Sequence, residues 1–229
     1  MIAGELNVAA SSTECTKLEP KAFFVAWRGV LTLAFSGFPA PLRALKTQLD
    51  AFPLRRENAG SKWPKMTLGA FSDHAKPLTK EQFEHLAQLC VQMSQNLSLL
   101  SDDFAVEKVS FVQFGSRSLE SLLLRVDIPL RPASEKSSFN IEDDQREVVD
   151  KVLAESDDCD AYLLEINKPG NRATHYREAV SEATIVVFLG GNPNVVAILE
   201  QFRTAVDFLL PGYYTWFDND SLHCTLRCV

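Results

Sequence analysis

The last nine residues of the chain, Ser221 to Val229, contain three side chains that could carry out phosphate chemistry. Successive side chains of an extended strand point to opposite faces, so His223, Thr225 and Arg227 would share one face. An imidazole exchanges protons near neutral pH, while a hydroxyl and a guanidinium can hold an anion. The simpler interpretation is a half-buried strand with a polar outer face, because short polar alternation is common on exposed sheet faces.

A second copy of this pattern occurs upstream, where Lys65-Met66-Thr67-Leu68 corresponds to His223-Cys224-Thr225-Leu226. Each copy follows an apolar strand, a turn with glycine and proline, and a helical stretch. The strands are residues 31–35 and 184–188, and the helical stretches are residues 41–52 and 194–210. Two strand–helix–strand units that both end on x-x-Thr-Leu indicate an internal duplication.

A basic loop, residues 55–65, leads into the first motif. It contains Arg55, Arg56, Lys62, Trp63 and Lys65. Its functional interpretation is that Lys62 and Lys65 supply charge to an anion while Trp63 offers a face for stacking. The alternative is an ordinary solvated loop. Tyr214 and Trp216, just ahead of the second motif, could also stack a base, although such clusters more often serve packing.

The charge of the chain is unevenly distributed. Its 229 residues are 46% hydrophobic, enough for a sizeable core, and carry a net charge of −7, which gives no overall attraction to duplex nucleic acid or to an anionic membrane. Residues 142–160 hold nine acidic and two basic residues, so this segment alone accounts for a net −7. The rest is balanced and leaves room for a local basic cleft. Without an Asp-x-Asp-x-Asp-Gly loop, the segment is expected to be solvated or to contact a basic protein partner rather than to bind calcium.

The five cysteines are scattered and form no Cys-x-x-Cys pair, which favours reduced thiols in a cytoplasmic compartment. No apolar run approaches the length of a membrane span, and the N-terminal residues do not resemble a secretory signal. No metal or other cofactor is predicted. Residues 1–20 are expected to be a disordered tail.

The remaining residues, 21–229, are predicted to form a single domain with a first lobe at about 21–130 and a second lobe at about 161–229. Residues 131–160 between them are expected to be an acidic, partly mobile insertion that contains a short helix. A helix from Thr79 to Leu97 and a hairpin of residues 106–130 complete the first lobe. Residues 161–166 are expected to be a short strand.

Two lobes, each with a strand that ends in His-x-Thr-Leu or its equivalent, resemble the two-histidine (2H) phosphoesterases, the superfamily of RNA ligases and cyclic nucleotide phosphodiesterases. The resemblance covers residues 22–229 apart from the acidic insertion. It implies an α+β fold that is pseudo-symmetric and bilobed, with antiparallel sheets facing a central cleft. It also implies that the motif histidines act as base and acid on a 2′,3′-cyclic phosphate or a 2′–5′ linkage, and that the threonine hydroxyls hold the phosphate oxygens.

Carried over to this chain, the resemblance makes His223 a catalytic acid or base, with Lys65 at the position of the other histidine. Thr67, Thr225, Lys62 and Arg227 are then the residues that bind the phosphate. An unperturbed lysine titrates near 10.4, so Lys65 could clamp phosphate or act as an acid if burial lowers its pKa. The predicted function is a phosphoesterase acting on a cyclic phosphate or an RNA end. The alternatives are a degenerate relative that binds nucleotide or RNA phosphate without turnover, and a bilobed interaction module.

Overall fold

The computed structural model describes residues 2–51, 61–133 and 140–229 of the chain. This part of the chain is an α+β structure whose largest sheet has eight antiparallel strands. Its helices are α1 (Ile2–Ser12), α2 (Ala40–Leu49), α3 (Lys80–Ser94), α4 (Asp143–Ala154), α5 (Cys159–Ile166), α6 (Ala173–Arg177) and α7 (Pro193–Leu209). Its strands are β1 (Thr16–Lys17), β2 (Pro20–Ala26), β3 (Val30–Phe35), β4 (Lys65–Phe71), β5 (Ala105–Val106), β6 (Lys108–Phe114), β7 (Leu122–Pro129), β8 (Glu182–Phe188), β9 (Tyr214–Trp216) and β10 (His223–Cys228).

The order of strands in the large sheet brings the two sequence motifs together. The path runs β2-β3-β4-β10-β8-β6-β7, and β9 pairs with the far end of β4. The motif strands β4 and β10 are therefore neighbours at the centre of the sheet. The two facing sheets expected from the sequence are a single sheet in this part of the chain, because β4 and β10 pair directly with each other.

Local sequence signals explain helices α2 and α3. Helix α2 has Pro41 in its first turn and buries Leu42, Leu45 and Leu49, which lie on one side of a helix at spacings of three and four residues. Helix α3 begins with a capping box, in which the Thr79 side chain accepts from the amide of Gln82 and the Gln82 side chain accepts from the amide of Thr79.

The main core lies between one face of the sheet and helices α2, α3 and α7. Met66 of β4 and Cys224 of β10 are fully buried there, and so are Leu42, Leu45 and Leu49 of α2 and Val195, Leu199, Phe202 and Val206 of α7. The ring of Phe23 in β2 stacks on that of Phe202 in α7, with centroids 4.0 Å apart. Lys65, Thr67, His223 and Thr225, which alternate with these two apolar positions, consequently face away from this core.

The N-terminal residues differ from the predicted disordered tail. Ile2–Ser12 forms α1, with Leu6 and Ala10 fully buried and Ala9 nearly so. These apolar residues are three and four positions apart, so they lie on one side of the helix and contribute to the main core.

The acidic segment also differs from the predicted mobile insertion. Residues 143–154 form α4, and Val149 on this helix is fully buried against Trp63 and Ala34. The predicted strand at 161–166 is wrong, because Cys159–Ile166 is helix α5. The Asp158 side chain caps α5 by accepting from the amide of Ala161, and short apolar runs do not distinguish a strand from a buried helix.

Among the helices that the structure describes, none is long and apolar enough to cross a membrane.

Candidate functional site

The central strand pair sets the geometry of the candidate site. Cys224 of β10 lies opposite Met66 of β4 in the antiparallel register, and both side chains point into the main core. Burial raises the pKa of the Cys224 thiol to about 11, so the thiol is protonated at neutral pH and faces away from the site. The motif residues on either side of this pair face the opposite side of the sheet.

Four motif side chains therefore form one group on that face. The register sets His223 opposite Thr67 and Thr225 opposite Lys65, and all four line the same cavity of about 640 Å³. Directly opposed residues have Cβ atoms roughly 4.5–5.5 Å apart, and diagonal neighbours roughly 7–8 Å apart. His223 and Lys65 are the diagonal pair, and this separation leaves room for a phosphate between their side chains.

The His223 imidazole is held in one orientation and one tautomer. Its Nδ1 lies 2.7 Å from the carbonyl oxygen of Ser221, which can only accept, so Nδ1 donates in the neutral ring. Nε2 then carries the lone pair and is the atom able to take up a proton. Burial lowers the pKa of His223 from its ordinary 6.5, while the bond to Ser221 raises it, and the net effect is a lowered pKa. At neutral pH the ring is therefore a base.

Lys65 has an environment that changes its chemistry. Burial lowers the pKa of its ammonium group from 10.5 to about 8, and the nearby Lys46 lowers it further while Cys224 opposes the shift. Its Nζ lies 4.3 Å from the centre of the Trp63 ring, which stabilises the cation. A lysine with this pKa is charged at neutral pH and can also give up its proton within the range of enzymatic acids.

The two threonines offer hydrogen-bond donors on the same face. Thr67 and Thr225 are half-buried, and their hydroxyls have no hydrogen-bond partner among the residues that the structure describes. Thr32, the neighbour of Thr67 on β3, donates instead to the carbonyl oxygen of Phe24. The two motif hydroxyls can therefore bind the oxygen atoms of an anionic ligand.

Several predicted residues contribute to this cavity and others do not. Lys62 and Trp63 line it, Lys62 as an exposed side chain and Trp63 as a buried one. Tyr214 and Trp216 lie on the helical side of the sheet, where their rings stack on each other and Trp216 Nε1 donates to Asp207 of α7. The structure therefore does not bring these two aromatics, predicted to stack a base, to the cavity that His223 and Lys65 line.

Arg227 is also outside the site. A bulge between Thr225 and Arg227 sets Arg227 opposite Ile185, on the core side of the sheet. Its guanidinium is buried and pairs with Asp50 at the end of α2. Simple alternation put Arg227 beside His223, but the extra residue in the strand reverses its direction. Arg55 and Arg56 lie outside the described residues.

The opposite wall of the cavity comes from segments that carry no motif. Val148 and Val152 of α4 and Tyr176 of α6 line it, together with Trp27 and Arg117 from two turns. The sequence offered only a weak signal for these residues, since none lies near His223 or Lys65 along the chain. Among the described residues, the cavity side chains include Lys62, Lys65 and Arg117 but only one acid, Glu155, so this lining is positive within a chain of net charge −7.

Backbone conformation marks the same region. Three non-glycine residues of the described chain have positive φ, namely Arg28, Leu119 and Asn171. Asn171 lines the cavity, Arg28 follows the lining residue Trp27, and Leu119 follows the lining residue Ser118. Residues in this conformation often cluster at functional sites.

Another depression, of about 930 Å³, lies between α3 and α7 and contains His85, Glu200 and Phe208. Its remaining side chains are amides, apolar groups and one threonine, so no cation faces it among the described residues. Within those residues there is also no cluster of three or more His, Cys, Asp or Glu side chains able to hold a metal ion.

Comparison of the chain with protein-family models, with curated proteins and with solved structures found no match.

Proposed function

We propose that this chain is a phosphodiesterase of the 2H type that acts on a 2′,3′-cyclic phosphate. The observation that carries the proposal is the pairing of β4 with β10, which gathers His223, Thr67, Lys65 and Thr225 on one face of the sheet above a cavity. The strand order adds support. On one side of the central pair lie β3 and then β2, and on the other β8 and then β6, an order that a duplicated fold with an approximate two-fold axis would give.

In the proposed reaction, a cyclic phosphate lies between His223 and Lys65 with its free oxygens bonded to the hydroxyls of Thr67 and Thr225. Nε2 of His223 takes a proton from a water molecule as the water oxygen attacks phosphorus. The bond from phosphorus to one ribose oxygen breaks, and Lys65 donates its proton to that oxygen. The products are a phosphomonoester, a protonated His223 and a neutral Lys65, and exchange with solvent restores both residues.

Lys65 fits the second role for an electrostatic reason. The leaving oxygen becomes negative as its bond to phosphorus breaks, so a cation beside it stabilises the transition state before the proton moves. A pKa of about 8 lets Lys65 hold its proton at neutral pH and still release it to an alkoxide. The replacement of histidine by lysine is thus compatible with turnover.

The test is hydrolysis of 2′,3′-cyclic nucleotides by the wild type, His223→Ala and Lys65→Met, without added metal. We expect kcat to fall about 100-fold or more for each, the usual contribution of a general acid or base. His85→Ala, on the distant helix α3, is the matched control and should keep wild-type activity. Undiminished turnover by His223→Ala would contradict the proposal.

The alternative is that the site binds phosphate without turnover, which the positive charge of Lys65 would also support. Titration of the wild type with a 2′,3′-cyclic nucleotide distinguishes the two. Binding that weakens in a Thr67→Val, Thr225→Val double variant, with no product formed by the wild type, would identify a binding protein.

A further inference from the structure

We infer that the cavity accepts a single nucleotide-sized phosphodiester with an aromatic base and excludes a polynucleotide chain. This inference rests on the proposed function, since it assigns the group that lies beyond the phosphate. The supporting observations are the aromatic and apolar side chains that line the cavity and the acidic residues around it.

The walls beyond the four motif side chains are aromatic and apolar. Tyr176 and Phe217 form one wall, with ring centroids 5.1 Å apart, and Trp27 lies at the rim with 54% of its surface exposed. Burial raises the pKa of the Tyr176 phenol to about 12, so this ring is neutral at any physiological pH. An exposed aromatic face such as that of Trp27 can stack a base at a favourable free energy.

Trp27 is followed by two residues with positive φ, which form the turn that holds its backbone. Arg28 has φ +63° and Gly29 has φ +74°, and a Cβ on Gly29 would lie 1.9 Å from the ring of Phe71. Arg28 also donates to the side-chain oxygen of Asn171 at 3.4 Å, which joins this turn to the turn before α6. Two residues with positive φ thus contact each other beside Trp27 and join the two turns at the rim.

Helix α4 forms part of the cavity wall that lies opposite the sheet. Val148 and Val152 line the cavity, while Val149 is fully buried against Trp63. The ammonium group of Lys65 lies over the ring of this tryptophan. Ion pairs attach the outer side of α4 to the body of the protein, from Lys21 to Asp150 and from Arg43 to Asp144 and Glu142. The cavity of about 640 Å³ is within the range of small-molecule sites and is roofed by this helix.

Residues 142–160, which include this roof helix and the residues directly after it, carry a net charge of −7. Asp143, Glu147, Asp157 and Asp158 are exposed on α4 or directly after it, and Glu155 lines the cavity itself. A mononucleotide places its phosphate beside Lys65 and its base against the aromatic walls. The additional phosphates of an oligonucleotide would leave the cavity past the acidic roof, where like charges repel them. Size and charge therefore select the same ligand.

The experiment compares adenosine 2′,3′-cyclic monophosphate with a six-nucleotide RNA that ends in the same cyclic adenosine, by turnover and by direct binding to the full chain. We expect kcat/KM at least about 10-fold higher for the mononucleotide and binding at least 10-fold tighter. Higher ionic strength should narrow the difference, because salt screens the repulsion. Charge reversal of three exposed roof residues, Asp143→Lys, Glu147→Lys and Asp157→Lys, should narrow it too.

Trp27→Ala tests the aromatic rim. We expect KM for the mononucleotide to rise about 10-fold with kcat within about 2-fold, since the substitution removes stacking and leaves the four motif residues in place. The control is Phe208→Ala, a side chain that is 90% exposed on α7 and far from the cavity.

The inference and the proposed function fail in different ways. Equal or preferred use of the oligonucleotide, with turnover still dependent on His223, would overturn the inference alone. If neither ligand is hydrolysed, the ratio of the two dissociation constants tests the inference. Equal affinity for the mononucleotide and the RNA, or binding of neither, overturns the inference as well.

Discussion

His223 and Lys65 are expected to set the pH dependence of the reaction. As pH falls through the lowered pKa of His223, its imidazole becomes protonated and can no longer act as base. As pH rises through about 8, Lys65 loses the proton that the leaving oxygen requires. We therefore expect a bell-shaped profile of kcat/KM with its alkaline limb near pH 8.

The matched variant is Lys65→His, which retains an acid of lower pKa. Because an imidazole titrates near 6.5, its alkaline limb should move down to about pH 6–7. The measurement is kcat/KM from about pH 5 to pH 10 for both proteins. An unchanged alkaline limb in the variant would show that Lys65 is not the acid.

Arg227 is expected to act on stability and not on activity. Its buried guanidinium pairs with Asp50 and donates to the carbonyl oxygen of Lys46 at 3.4 Å, so it joins β10 to α2. We expect Arg227→Met to lower the free energy of unfolding by about 1–3 kcal/mol, less than for a pair buried on both sides because Asp50 can be hydrated.

Urea denaturation of Arg227→Met measures this loss, and kcat/KM per folded molecule should stay within about 2-fold of the wild type. A large rise in KM with an unchanged free energy of unfolding would instead support the phosphate-binding role that strand alternation predicted for Arg227.

Elements differ in how far the sequence reveals them. The alternation in β10 and its repeat in β4 predicted that His223, Thr67, Lys65 and Thr225 would belong to one site, and the structure sets all four on one face of the sheet, because a period of two requires no knowledge of the partner strand. The direction of Arg227 could not be predicted in this way, since a bulge depends on the register with β8.

The far wall of the cavity could not be predicted for a different reason. Val148, Tyr176 and Trp27 are distant from both motifs along the chain, and their convergence depends on the packing of α4 and α6 over the sheet. The acidic composition of residues 142–160 suggested a solvated segment, and the buried position of Val149 is a tertiary effect.

Helix α1 provides a test at the scale of an element. Leu6 is fully buried and Val8 is 70% exposed on the same helix. We expect Leu6→Ala to lower the free energy of unfolding by about 2–4 kcal/mol, the usual range for a buried leucine, and Val8→Ala to change it by less than about 0.5 kcal/mol. Thermal or urea denaturation measures both. Equal, negligible effects would support the disordered tail that composition suggested.

At the scale of the whole molecule, the two halves of the chain share one sheet and one core. Cys224 pairs with Met66 across the centre of the sheet, and the ring of Phe202 from the second half stacks on that of Phe23 from the first. Neither half can complete the group of His223 and Lys65 alone, so the proposed catalysis requires that both fold together.

This shared core predicts a single cooperative unfolding transition in denaturant. Trp63 reports on the first half and Trp216 on the second, so the variants Trp27→Phe/Trp216→Phe and Trp27→Phe/Trp63→Phe each leave one tryptophan as a fluorescent probe. If the halves unfold together, each variant should give the same midpoint by fluorescence as by far-ultraviolet circular dichroism, which follows all the helices. The slope of free energy against denaturant should match the surface of the whole chain. Within either variant, a fluorescence midpoint that departs from the circular dichroism midpoint would indicate two lobes that fold independently. The two midpoints are compared within one protein, so any loss of stability caused by the substitutions affects both equally.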